Sequence, residues 1–161
     1  MHSSRTRLIA QRGFTLIEAI IVMSIMAILA GVSTSSFVWL NQTTQIRGAA
    51  FDLVADLDYA RSEAVKRNGN VVVAPVADAW GNGWTVTAGG NVIRQRPALG
   101  GQISFAAAPG TLTFDGSGRA TLGTVGNFQL CPPTGGGALN GRTVRLDPSG
   151  LSRSTKSVCT A

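Results

Sequence analysis

The chain has one histidine, two cysteines, one tyrosine and eight acidic side chains among 161 residues, and each shortage removes a class of chemistry. The histidine is His2, so everything after the second position lacks an imidazole for base catalysis or metal ligation. Cys131 and Cys159 stand too far apart for a C-x-x-C redox pair. The glycine run at 135–137 lacks the lysine and Ser/Thr of a phosphate loop. Serines are plentiful but no base partner is evident, and Asp52, Asp56 and Asp58 read as a charged outer face of a helix. No catalytic residue, metal site or cofactor is expected, and the chain is not read as an enzyme.

What is present is an apolar run over residues 14–40 whose only ionisable side chain is Glu18. About 20 helical residues cross a bilayer core of about 30 Å, so the run is long enough to span a membrane. Arg5, Arg7 and Arg12 precede it, which places the leader in the cytoplasm and the bulk of the chain on the other side. A charge at membrane depth costs about 2.5–3.5 kcal/mol on insertion scales, so Glu18 needs a reason. A plain membrane anchor gives none. Neither does an ordinary secretory signal cut near Gly31-Val32-Ser33.

The stretch Arg12-Gly13-Phe14-Thr15-Leu16-Ile17-Glu18 behind a short basic leader resembles the processing and assembly signal of type IV pilins and pseudopilins. That resemblance implies cleavage after Gly13 by a prepilin peptidase and methylation of the new Phe14 amine. It also implies that Glu18 neutralises the amine of a neighbouring subunit as helices pack, where pairing fixes axial register. Ala19, Ala27, Ala30 and Gly31 are small enough for close helix approach, and Gly31 with 33–36 weakens helix propensity. Removing three leader arginines from fourteen basic side chains leaves eleven against eight acids, a net charge of +3. That balance does not establish nucleic-acid binding but permits a local basic patch.

A second helical pattern covers 41–68. Ile46, Ala50, Leu53, Val54, Leu57, Ala60, Ala64 and Val65 recur at spacings of three and four, and Asn68-Gly69 is a stop signal. Asp58 with Arg61, and Glu63 with Arg67, have the spacing of pairs along an exposed face. After Gly69 the pattern becomes that of strands. Candidates are 71–73, 84–87, 92–95, 102–106, 112–114, 127–131, 142–146 and 151–158, with turns at Gly89-Gly90 and 115–118 and a loop at 132–137. Trp80 and Trp84 read as packing residues. The expected class is α+β, with a long N-terminal α-helix packed on a mostly antiparallel β head. Its organisation is a cleaved leader (1–13), a transmembrane and filament-core helix (14–40), an amphipathic continuation (41–68) and a β-rich head (69–161).

The run from Leu57 to Asn68, then Val71 and Gly81-Asn82-Gly83-Trp84, resembles the GspH/FimT group of minor pilins and pseudopilins. The resemblance implies a type IV pilin-like fold, partners among other pilin or pseudopilin subunits, an inner-membrane anchor with the head in the periplasm, and then a pilus or pseudopilus. The function expected is that of a minor type IV pilin; the alternative is a pseudopilin of a type II secretion system. In an exported domain the even pair Cys131 and Cys159 suggests a disulfide, the alternative being two buried thiols. Such a bridge stabilises a domain by roughly 2–4 kcal/mol.

DNA-uptake members of the group carry a C-terminal Gly-Arg-x-Arg element that contacts DNA. Here the nearest match is Gly150-Leu151-Ser152-Arg153, with leucine for the first arginine. Arg142, Arg145, Arg153 and Lys156 supply cations nearby and form the candidate DNA-binding set. The competing reading is a basic strand edge that blunts sheet-to-sheet association.

Overall fold

The computed structural model describes residues 14–100, 103–121, 126–132 and 141–159, without the side chains of 32–39. Both halves of the expected helix form one element, α1 (Leu16–Arg67). The chain divides into two compact units, Met1–Val38 and Trp39–Ala161. In the first, every described side chain of 14–31 is exposed.

In the second unit α1 buries Ile46, Ala49, Ala50, Leu53, Leu57, Ala60 and Ala64, a stripe at helical spacing. Val54 is half-buried, whereas Val65 lies outside the stripe and is 52% exposed. Alanines at 49, 50, 60 and 64 let the helix approach the strands beneath closely. The helix ends at Asn68, in the left-handed region at φ 47°, while the Gly69 N–H reaches back to the Ala64 carbonyl. Asparagine thus takes the role that glycine commonly fills at a helix C-terminus.

Eight strands follow: β1 (Val71–Val76), β2 (Ala79–Ala88), β3 (Asn91–Arg96), β4 (Ser104–Ala107), β5 (Leu112–Phe114), β6 (Asn127–Cys131), β7 (Gly141–Leu146) and β8 (Ser152–Ser157). They form two antiparallel four-stranded sheets, ordered β3-β2-β1-β5 and β4-β6-β7-β8. The β-branched run Val71-Val72-Val73 sits centrally in the first sheet, with Val71 and Val73 turned inward. Trp84, Phe114 and Phe128 are fully buried between α1 and the sheets. Fully burying such a side chain contributes about 1.5–3 kcal/mol. Trp80 of β2 meets Phe128 of β6 edge-on at 4.7 Å and joins the sheets. Its indole N–H donates to the Pro109 carbonyl at 2.7 Å, so both tryptophans are packing residues as expected.

The strands agree with the expected ones to within a few residues, except that β2 begins at Ala79. The expected turns at Gly89-Gly90 and 115–118 are present, and the glycine-rich part of the 132–137 loop lies outside the described residues. Glu63 pairs with Arg67 at 2.7 Å as its spacing suggests, but Glu63 itself is buried and not on an exposed face. Asp58 and Arg61 do not pair. Asp58 accepts from the Ser152 hydroxyl at 2.8 Å, and Arg61 Nε donates to the Gly118 carbonyl at 3.0 Å. Asp58 is met by the start of β8 and Arg61 by the turn at Gly118, partners that sequence spacing does not reveal.

Candidate functional site

The amino-terminal site is an apolar surface with one acid. Phe14 is 85% exposed, and Leu16, Ile17, Ile20, Ile21, Met23, Ile25, Met26, Ile28 and Leu29 are all open. Gly13 lies outside the described residues. Thr15 caps α1, its hydroxyl accepting the Glu18 N–H at 3.3 Å. Thr15-Leu16-Ile17-Glu18 has the spacing of a capping box, so Glu18 also has a local reason to stand in the first helical turn. Among the described residues no helical stretch is long and apolar enough to cross a membrane. Residues 16–31, whose side chains are described, rise only about 24 Å; the apolar sequence continues beyond them.

The carboxy-terminal cations are not one patch. In β7, Val144 and Leu146 point into the core, and Arg142 shares their face by strand alternation. Arg142 stands opposite Lys156 in the β7–β8 register, and Arg145 opposite Arg153. Positions three apart in a strand face opposite ways, so the four cations split into two pairs. Arg142 and Lys156 lie on the side facing α1. Arg145 and Arg153 lie on the outer face with Asn127, Gln129, Thr143 and Thr155. Arg145 is partly neutralised by Asp147 at 3.6 Å.

The expected basic edge is real in one respect: β8 is the outermost strand of its sheet. Gly150, one of the two residues matching the Gly-Arg-x-Arg element, shapes the β7–β8 turn. Its φ is 78°, and its N–H donates to the Asp147 carbonyl at 2.8 Å. A Cβ there would run into the Gly118 carbonyl oxygen and the Arg61 side chain.

On the inner side, Arg142 meets a residue that sequence reasoning missed. Phe51 of α1 is 50% exposed, with the guanidinium carbons of Arg47 and Arg142 each 5.7 Å from its ring centroid. The Arg47–Phe51 half of this contact was visible as an i,i+4 pair. The Arg142 half is long-range and left no local signal.

Asp56 is not on an outer helix face. It is fully buried and accepts from Trp84 Nε1 at 3.0 Å, Arg94 at 2.8 Å and Arg96 at 3.0 and 3.1 Å. Burial pushes its carboxyl up, but hydrogen bonds from Arg96, Arg94 and Trp84, with the Arg96 charge, hold it below the usual aspartate value. Arg94 also stacks on Tyr59 at 4.0 Å, and Asp52 lies 3.5 Å from Arg96. Both Asp56 oxygens accept from protein donors, which makes the cluster a strut between α1 and strands β2 and β3.

Cys131 and Cys159 form a disulfide with their Cα atoms 5.9 Å apart, tying the end of β6 to the segment after β8. Gly141 lies against it; a Cβ there would strike Cys159 Sγ and the Leu130 carbonyl oxygen. A groove of about 850 Å³ beside β4 is lined by Trp80, Phe105, the alanines 106–108 and Pro109, with Asp78 its sole ionisable side chain. Among the described residues no group of three His, Cys, Asp or Glu is placed to hold a metal.

The family model described as type II transport protein GspH matches residues 49–150, and that of the prokaryotic N-terminal methylation motif matches residues 9–34. Two crystal forms of the type IV minor pilin FimU from Pseudomonas aeruginosa strain PAO1 are similar in structure, each at 26% identity. One superposes with a TM-score of 0.56 over 68% of this chain and 91% of that chain. The other gives 0.58 over 68% and 87%. No curated protein shows significant sequence similarity.

Proposed function

Because the chain belongs to the family of the type II transport protein GspH, we propose that it works as a minor type IV pilin, built into or capping a filament. The observation that carries this reading is the open apolar surface of residues 14–31 with Glu18 in its first helical turn. In water that surface is a liability, and its natural covers are a bilayer and then the helices of other subunits. A prepilin peptidase removes the leader after Gly13, the segment anchors the chain in the inner membrane with the head in the periplasm, and the anchor then becomes filament core. Glu18 receives the Phe14 amine of a neighbour at assembly. The protein acts by binding and display and not by catalysis.

Glu18→Gln tests the charge apart from the cap, because glutamine keeps the capping-box geometry and removes the carboxylate. The expected outcome is normal insertion with severalfold less protein in the sheared filament fraction. Unchanged incorporation overturns the pairing role, and normal leader removal in Gly13→Val overturns the cleavage site.

A second reading, a pseudopilin of a type II secretion system, is favoured by the description of the matching family itself. Genes for pilus assembly or for secretion beside the coding sequence decide between the two. In either filament the head is displayed. In a pilus, Arg142, Arg145, Arg153 and Lys156 offer contacts to DNA backbone phosphates, positioning the strand with little sequence preference.

A further inference from the structure

We propose that Phe51, Arg47, Arg142 and Lys156 form a stacking site for single-stranded nucleic acid, with a base on the aromatic and guanidinium planes and the flanking phosphates on the cations. The inference rests on the DNA-contact part of the function proposed above and narrows it to one face of the head.

Charge pairing within the head points to this place. Among the described residues, Lys66, Arg67, Arg94, Arg96 and Arg145 make ion pairs with carboxylates, and Arg61 is bound to a carbonyl. Arg47, Arg119, Arg142, Arg153 and Lys156 make none. Three of these five gather around Phe51: Arg47 one helical turn before it, Arg142 over its ring, and Lys156 directly across the strand pair from Arg142. Among the described residues α1 leaves three large apolar side chains open in this unit, Leu40, Phe51 and Val65, and of these Phe51 is the one that lies beneath two guanidiniums.

Cation–aromatic contacts at an exposed site contribute only about 0.5–1 kcal/mol and neutralise nothing. Three uncompensated positive charges therefore remain for an anion to meet. A ligand that brings phosphates and flat faces together satisfies both halves of the site. Bases stack on phenylalanine and on guanidinium planes. In a duplex those faces are hidden in the base stack, so only a single strand, a frayed end or a gap presents them. The outer pair, Arg145 and Arg153, has polar neighbours, no aromatic and a carboxylate at 3.6 Å, and serves as the comparison.

The experiment uses the full chain in a nonionic detergent and fluorescence anisotropy with a labelled 20-nucleotide thymidine oligomer, a blunt duplex of equal length, and phosphatidylglycerol vesicles as a separate arm. The single strand is expected to bind more tightly than the duplex. With about three phosphate contacts its affinity falls roughly 20-fold between about 50 and 200 mM salt. Phe51→Leu keeps the apolar contact and removes the π face, and it weakens single-strand binding about five- to tenfold, the lower end of per-base stacking. Phe51→Trp retains binding, and Arg47→Gln/Arg142→Gln loses at least tenfold. Arg145→Gln/Arg153→Gln, which removes outer-face phosphate contacts and no stacking plane, loses less than the Arg47/Arg142 variant. Thermal melts of each variant confirm that the head is folded.

Equal binding by Phe51→Leu, a preference for duplex, or loss confined to the Arg145/Arg153 variant overturns the stacking site while leaving DNA contact in place. Binding to the vesicles but to neither oligomer overturns it in favour of a lipid headgroup surface. No binding to any probe overturns it together with the DNA contact, whereas the filament reading is decided separately by the sheared fraction.

Discussion

Asp56 shows how one residue can be misread by type and explained by surroundings. An aspartate two positions from Asp58 and four from Asp52 looks like part of a solvated face. It instead lies beside the buried Leu53 and Leu57, where an unpaired carboxylate is costly. Its four hydrogen bonds answer that cost with charged and indole donors from β2 and β3. Because its folded value is depressed, Asp56 contributes its stabilisation in full above about pH 3.8, the ordinary aspartate value, and loses it as pH falls through the folded value. Acid titration followed by circular dichroism should therefore show a melting temperature that drops below about pH 4. Asp56→Ala, which strands two arginines, should cost about 3 kcal/mol at neutral pH in urea unfolding and flatten the acid limb. Arg94 and Arg96 remain partly exposed, so water takes up part of the charge left behind and keeps the cost from rising higher.

Among the elements, the strands were legible because hydrophobic runs bounded by Gly, Asn and Asp are strong local signals. The start of β2 was not. The β1–β2 turn is Ala77-Asp78, with φ of 48° and 57°, and alanine rarely adopts that left-handed conformation. A two-residue hairpin of this kind favours Asn-Gly. Replacing Ala77-Asp78 by Asn-Gly should relieve the turn and raise stability by about 1 kcal/mol, read as a higher urea midpoint with an unchanged slope. An unchanged midpoint would show that the bulge after Pro75 already absorbs the strain. The helix stripe was legible from its period, and its one stray, Val65, stands about 100° round the helix from the buried Ala64. The division of the basic set was legible in principle: 142 and 145 differ by three, as do 153 and 156, and a strand has period two. What joined Arg142 to Phe51 was tertiary and could not be read locally.

For the whole molecule, the two sheets share no strand pairing among the described residues and are held by the helix and by Trp80 against Phe128, whereas the Cys131–Cys159 bridge closes the second sheet on itself. The bridge closes a loop of 28 residues around β7 and β8. Reduction, or replacement of both cysteines by serine, should lower unfolding free energy by roughly 2–4 kcal/mol while leaving the first sheet assembled. Equal stability of oxidised and reduced chains in urea would show that strand pairing alone fixes this end. The general architecture and the pairing of the two cysteines were therefore readable from the sequence, whereas the Trp80–Phe128 contact and the cluster around Asp56 were not.

Arg61 adds a mechanical dimension. A single guanidinium from the helix reaches the Gly118 turn and packs under Gly150, so the connections β5–β6 and β7–β8 are pinned at the same spot. Tension drawn along this part of α1 would reach both connections at once and be shared between them, so that neither gives way first.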